Sequence, residues 1–350
     1  MIVNNLLIEG CALTTHLESS ADQKPVPTRV AKPRPILSLL LTRTAWGVFT
    51  VLVVTVIVYA ATLVLPGDAA QAILGQQATP ERLAVLREQL GLDKSAWTGF
   101  VDWFTGIFHG DLGTSLSTRQ PVTELLGPKL LNSVVLVVVA ALVSVAIGVT
   151  LGALTASRRD GLLDHVLGIV SLVASALPEY IVGVFVVLFL AVNLHVFPAI
   201  SVLGPGQQIW DQPVKMVLPV LTLTIVVVPY ILRMCRGSVI EALDSDYAEV
   251  ARLKGVAPRR LLFRHALPNA LAPTVQVVGL SLIYLAGGIV LVETVFQFPG
   301  IGLALVDAIT ARDVPVIQAL VLLLSTCYVV LNILADVAVL LVTPRRRLPR

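Results

Sequence analysis

Six long stretches of this 350-residue chain carry almost no charge, and that property restricts the fold more than any other. Roughly 20 consecutive apolar residues span the hydrocarbon core of a bilayer as a helix, and lipid offers no partner for a free backbone N–H or C=O. Long uncharged runs therefore read directly as membrane helices. They lie at about 45–65, within 129–158, from 164 to about 197, and at about 216–232, 271–291 and 316–342. A chain that is 56% hydrophobic and 13% charged, with a mean hydropathy of +0.87, has more apolar surface than one soluble core of this size buries. The fold class expected is an all-α membrane protein with about six transmembrane helices.

Interruptions within these runs carry further information. Pro178-Glu179 divides the third, and Pro219 and Pro229 fall inside the fourth, so both are expected to kink or break. Gly148 and Gly152, four residues apart in the second, allow another helix to approach closely. Asn332 and Asp336 share a face of the sixth, where a helix–helix hydrogen bond is favoured over a functional contact. Between the first two runs lies a wet region, about 66–129, opening on Pro66-Gly67-Asp68. In it Thr79-Pro80-Glu81 predicts a helix start, with Leu83, Leu86 and Leu90 at helical spacing. Phe100, Trp103, Phe104, Ile107 and Phe108 then fall on one face, suited to an interfacial helix or to packing on the spans. Cys11, Cys235 and Cys327 read as packing residues.

Charge sets the expected topology. Arg34 and Arg43, Arg158 and Arg159, Arg233 and Arg236, and Arg345-Arg346-Arg347 fall on one side of the six spans, which the positive-inside rule makes cytoplasmic. Both termini are then cytoplasmic: a Pro-rich basic tail at 1–44 and a basic end at 345–350, flanking a transmembrane domain at 45–344. The net charge of +3 reflects these clusters and predicts no nucleic-acid partner. No phosphate-binding Gly-rich loop, metal-spaced His or Cys cluster, or nucleophile and base pair stands out, so the chain reads as a non-enzyme.

Residues 241–268, between the fourth and fifth runs, are too polar to enter lipid. Tyr247, Val250, Ala251 and Lys254 keep helical spacing, and Gly255 is a helix stop. Ala248, Ala251, Gly255 and Leu267-Pro268 resemble the cytoplasmic loop of binding-protein-dependent ABC importer permeases. Further stretches resemble the dipeptide, oligopeptide and nickel branch: Pro66-Gly67-Asp68, Leu90-Gly91-Leu92-Asp93, Gly110-Asp111-Leu112-Gly113 with Ser115, Asp246-Tyr247, and His265-Ala266-Leu267-Pro268-Asn269 through Pro273. Glu293-Thr294-Val295-Phe296-Gln297-Phe298-Pro299-Gly300-Ile301-Gly302 completes the set. The long tail departs from this pattern, as does Val342-Thr343-Pro344-Arg345 where an Asp-Pro-Arg type ending is usual.

The resemblance implies a type I importer permease fold with a coupling helix in a cytoplasmic loop at about 237–270 and an extracytoplasmic insertion at about 66–129. It implies a bacterial inner-membrane location, a second homologous permease, two ATPase subunits or one fused ATPase, and a solute-binding protein outside. The chain itself is expected to need no cofactor, ATP and Mg being bound by the ATPases. Glu241, Asp246, Tyr247, Ala248, Ala251, Arg252, Lys254 and Gly255 are the candidate ATPase contact, with Arg252 and Lys254 placed to pair with partner carboxylates. Arg259, Arg260 and Arg264 suit that role or contact with anionic membrane lipid. Glu179, an intramembrane carboxylate, is a candidate pathway residue that binds a peptide amine, or else a group solvated at a break. Asn132, Ser133, Thr222, Thr224 and Gln276 are further pathway candidates. Peptides are the first substrate expected, with nickel, opines or another small solute as the alternative; an ion-coupled transporter or channel is the rival class.

Overall fold

Apolar runs without charge fold as helices because only internal backbone hydrogen bonds are available in lipid. In the computed structural model, residues 36–64, 79–82, 95–204 and 207–342 are described, and the contacts below belong to the unit from Leu40 to Leu348. The described residues are helical apart from turns and one isolated bridge between Thr114 and Pro121. The tail at 1–35, the Pro66-Gly67-Asp68 turn, the leucines at 83, 86 and 90, the Leu90-Gly91-Leu92-Asp93 motif and the arginines at 345–347 lie outside the described residues. Thr79 caps a helical turn over 80–82 by accepting from the Arg82 N–H, as its sequence predicts.

The elements are α1 (Ile36–Val64), α2 (Ala96–Phe108), α3 (Val122–Ser157), α4 (Leu162–Ala176) and α5 (Glu179–Val186), which runs on as a π-helical stretch to Asn193. They continue as α6 (Val214–Leu243), α7 (Asp246–Leu253), α8 (Pro258–Leu261), α9 (Leu267–Phe296), α10 (Ile301–Ala311) and α11 (Val314–Val342). Among the described residues five helices are long and apolar enough to cross a membrane, or six if α4 and α5 count as one span. These two are bent by 110° at Leu177-Pro178, where proline blocks continuation. By contrast, α6 continues through Pro219 and Pro229. Helix α1 starts before residue 45, and α6 continues beyond 232 to Leu243, because a helix does not end where its apolar run does.

The centre of the bundle is α6, packed between α3 and α9, with Leu218, Leu223, Val226, Val227 and Ile231 buried along it. Within a membrane, apolar burial supplies little drive for helix association, so close van der Waals fit must supply it. The glycines at 148 and 152 do so: a Cβ on Gly148 would sit 2.7 Å from Ile231 Cβ, and one on Gly152 2.8 Å from the Leu232 carbonyl. The outer helix α1 is held to α11 by an Arg43–Asp336 ion pair of 3.2 Å and by Gln318 donating to Thr62. Asp336 thus makes a helix–helix contact, while Asn332 donates to the Tyr328 carbonyl of its own helix. The aromatic face of α2 packs on α1, with Phe100 and Trp103 against Tyr59 at centroid distances of 5.1 and 6.0 Å. Cys235 is buried and Cys327 half-buried, both as free thiols.

Candidate functional site

Three groups of polar residues stand out from the apolar bundle: a helical excursion between α6 and α9, two buried carboxylates near the other end, and an open polar line on α5, α6 and α9.

The excursion is more ordered than a connecting loop. Glu241 is exposed in the last turn of α6, and Ser245 turns the chain into α7. Asp246 and Glu249 occupy the first turn of α7 and Arg252 the last, the arrangement that opposes the helix macrodipole. Gly255 adopts φ +79, its N–H reaching the Arg252 carbonyl while Val256 N–H reaches Ala251. These paired bonds close the helix with a left-handed residue that favours glycine. Three contacts fix α7 to the body. Ala248 is fully buried beneath it, the Arg252 guanidinium donates to the Leu243 carbonyl at 2.8 Å, and Asn269 at the start of α9 donates to the Tyr247 hydroxyl at 3.1 Å.

This geometry redistributes the candidates in 241–255. Ala248 is buried against its own chain, whereas Arg252 is exposed with one guanidinium nitrogen engaged by the Leu243 carbonyl. The outward side carries Tyr247, Val250, Leu253 and Lys254, all exposed, with Leu253 at 83%. Val250 and Leu253 lie within the segment from Asp246 to Gly255 expected to meet the ATPase but were not named individually, although large apolar side chains on so polar a segment were the available signal. Two ion pairs steady the platform. Arg236 of α6 makes a bidentate pair with buried Asp164 of α4 at 2.6 and 2.7 Å, and Arg159 pairs with Asp244 at 2.8 Å.

The buried carboxylates explain motifs near the other end. Glu293, fully buried, accepts from Ser133 Oγ at 2.5 Å and from the N–H groups of Gly302 and Leu303 at 2.7 and 3.1 Å. Ser133 Oγ in turn accepts the Ile301 N–H, and Asn132 donates to the Pro299 carbonyl. The orphan donors opening α10 are thereby satisfied by α9 and α3 together. Gly300 and Gly302 are required by this arrangement, since a Cβ on Gly300 would overlap the Glu293 carboxylate and one on Gly302 would lie 2.9 Å from it. Asp313 is likewise buried, accepting from the hydroxyls of Ser115 and Ser117 and from the N–H groups of Leu116 and Ser117. Nothing in the sequence marked Asp313, whose partners lie about two hundred residues earlier.

The pathway candidates separate into interior and surface. Asn132 and Ser133 belong to the Glu293 clasp, and Thr222 is buried with its hydroxyl on the Leu218 carbonyl. These three therefore sit in the packed interior and not on an open channel wall; Thr224 is also buried, at the edge of a groove between α3 and α6. Gln276 and Glu179 differ. Gln276 is exposed on the face of α9 that carries Leu280, Tyr284 and Gly287. Glu179 Oε2 accepts from Tyr284 Oη at 2.8 Å, and the Tyr284 ring lies 6.4 Å from that of Tyr230 on α6. The Arg233 guanidinium sits over Tyr230 at 5.4 Å from its centroid.

Residues 148–348 match the family described as binding-protein-dependent transport system inner membrane component, and residues 36–137 match the N-terminal part of such membrane components. A "probable peptide ABC transporter permease protein" of Sinorhizobium fredii is 38% identical over 282 residues, 81% of this chain and 90% of that one. The dipeptide transport system permease protein DppB of Escherichia coli is 32% identical over 89% of this chain and 99% of its own length. The glutathione transport system permease protein GsiC of Salmonella typhi is 33% identical over the same shares.

Proposed function

The chain belongs to the binding-protein-dependent transport system inner membrane component family, and from that premise we propose that it forms one half of the translocation pathway of an ATP-driven importer of di- or oligopeptides. The observation that carries the coupling reading is α7, a short helix closed by Gly255 and strapped to α6 and α9, with Val250 and Leu253 left bare. A small exposed apolar patch on a rigid element suits a groove in a partner protein. In this reading Tyr247, Val250, Leu253 and Lys254 touch an ATPase, while Ala248, Arg252 and Gly255 hold the helix in its pose. Nucleotide-driven movement of the ATPases is then transmitted through α7 to α6 and α9 as a rigid-body displacement.

The partners follow from the same premise: a second permease, ATPase subunits that bind ATP and Mg, and a binding protein outside. In this reading the α7 end and both termini lie in the cytoplasm, the orientation that the basic clusters support. Peptide is the proposed cargo because the relatives named above include peptide, dipeptide and glutathione permeases. Purification of tagged chain from its native membrane tests the assembly, with an ATPase expected in the complex. Leu253→Asp is expected to leave the chain in the membrane and to release the ATPase; retention of the ATPase and normal dipeptide uptake by that variant would refute the α7 assignment.

A further inference from the structure

The polar line from Glu179 to Arg233 runs from the elbow of the broken span to the end of the apolar run in α6, on a face that the chain leaves open. Tyr230 falls near the middle of α6, Tyr284 near the middle of α9, and Glu179 at the elbow of the broken span. Tyr230 and Tyr284 are about two-fifths exposed and Arg233 is exposed. An ionised carboxylate facing lipid between two apolar helices is costly, so the face that carries Glu179 borders water or protein.

Both charged ends keep unused hydrogen-bonding capacity. Glu179 Oε2 holds the Tyr284 hydroxyl, while Oε1 lies beside Gly288, whose ideal Cβ position is 3.0 Å away, and has no donor among the described residues. Arg233 donates Nε–H to the Pro229 carbonyl, which leaves both terminal nitrogens free for a bidentate carboxylate. Between them the two tyrosine rings form an apolar wall with hydroxyl rims, and Gly287 leaves open space on the same face of α9. The ring centroids alone are 6.4 Å apart, more than the roughly 3.5 Å that one residue of extended chain covers. An anion, an aromatic wall and a cation in that order match a short peptide with both termini free better than a single ion.

We propose that Glu179, Tyr284, Tyr230 and Arg233 form a binding site on the wall of the translocation pathway for zwitterionic short peptides, with the α-ammonium at Glu179 and the α-carboxylate at Arg233. The proposal rests on the peptide-importer reading and adds that the permease itself recognises peptide termini after the binding protein has released its cargo.

The test uses the assembled transporter in nucleotide-free proteoliposomes, with Leu280→Cys as reporter and the native cysteines replaced by alanine. Leu280 is 61% exposed, one turn from Tyr284 and outside the site. Labelling of that cysteine by a charged thiosulfonate is expected, with dialanine slowing it severalfold. N-acetyl-dialanine and dialanine amide, each lacking one charge, are expected to slow it much less, and Glu179→Gln or Arg233→Gln to abolish the protection by dialanine. An unreactive cysteine would show the face covered by lipid or by the second permease and would overturn the site. Equal protection by all three peptides, or none, would overturn it without relying on variants that fold. Dialanine uptake by parallel vesicles supplied with ATP, Mg and the binding protein separates the two readings: uptake without protection refutes the site alone, whereas absent uptake refutes the peptide reading and the site with it.

Discussion

Glu293 shows how one residue can bind three elements. Its carboxylate takes donors from α3 and from the opening turn of α10 while its own backbone remains in α9. Each buried donor stranded by its removal costs about 1–3 kcal/mol. Glu293→Ala is accordingly expected to lower stability by roughly 3 kcal/mol or more, read as a fall in the thermal unfolding midpoint in detergent, with Glu293→Gln intermediate. An unchanged midpoint for Glu293→Ala would show that the clasp contributes nothing. Gly302→Val should resemble Glu293→Ala, because its side chain would enter the space held by the carboxylate and by Val290.

Helix α7 is the element on which the coupling reading stands. Its closure depends on φ +79 at Gly255, a conformation that costs an L-residue such as alanine about 1 kcal/mol. Gly255→Ala should therefore fray the end of α7 and reduce ATP-coupled uptake while leaving membrane insertion intact, and Gly255→Asn should be milder. Equal uptake by all three forms would detach the closing turn from coupling. Loss of the Arg252 guanidinium frees the Leu243 carbonyl, so Arg252→Ala is expected to increase protease cleavage between α6 and α7. Cleavage unchanged from wild type would mean that Ala248 and Tyr247 hold the helix unaided.

At the scale of the molecule, the bundle rests on α6 lying in contact with α3. Gly152 meets Cys235 Cβ and the Leu232 carbonyl with no room for a side chain, and Gly148 meets Ile231. Gly152→Leu is expected to separate the two helices along their length and to remove the Asp164–Arg236 strap from register. The measurable consequence is loss of monodisperse protein after extraction from the membrane, and a well-behaved variant would refute the role of close packing.

The sequence by itself determined the helical class, the approximate spans, the break at Pro178, the close approach at Gly148 and Gly152, and the closing glycine of α7. Each depends on local chemistry: run length, a missing N–H, a missing Cβ, or a left-handed φ. The tertiary structure decided which polar residues meet. Ser133 finds Glu293, Asp313 finds Ser115, and Tyr284 finds Glu179, all more than a hundred residues apart. It also placed Asn132 and Thr222 inside the bundle and Gln276 on its surface. A helix that is apolar all round has no periodicity to mark its inner face, so packing against neighbours alone makes that choice.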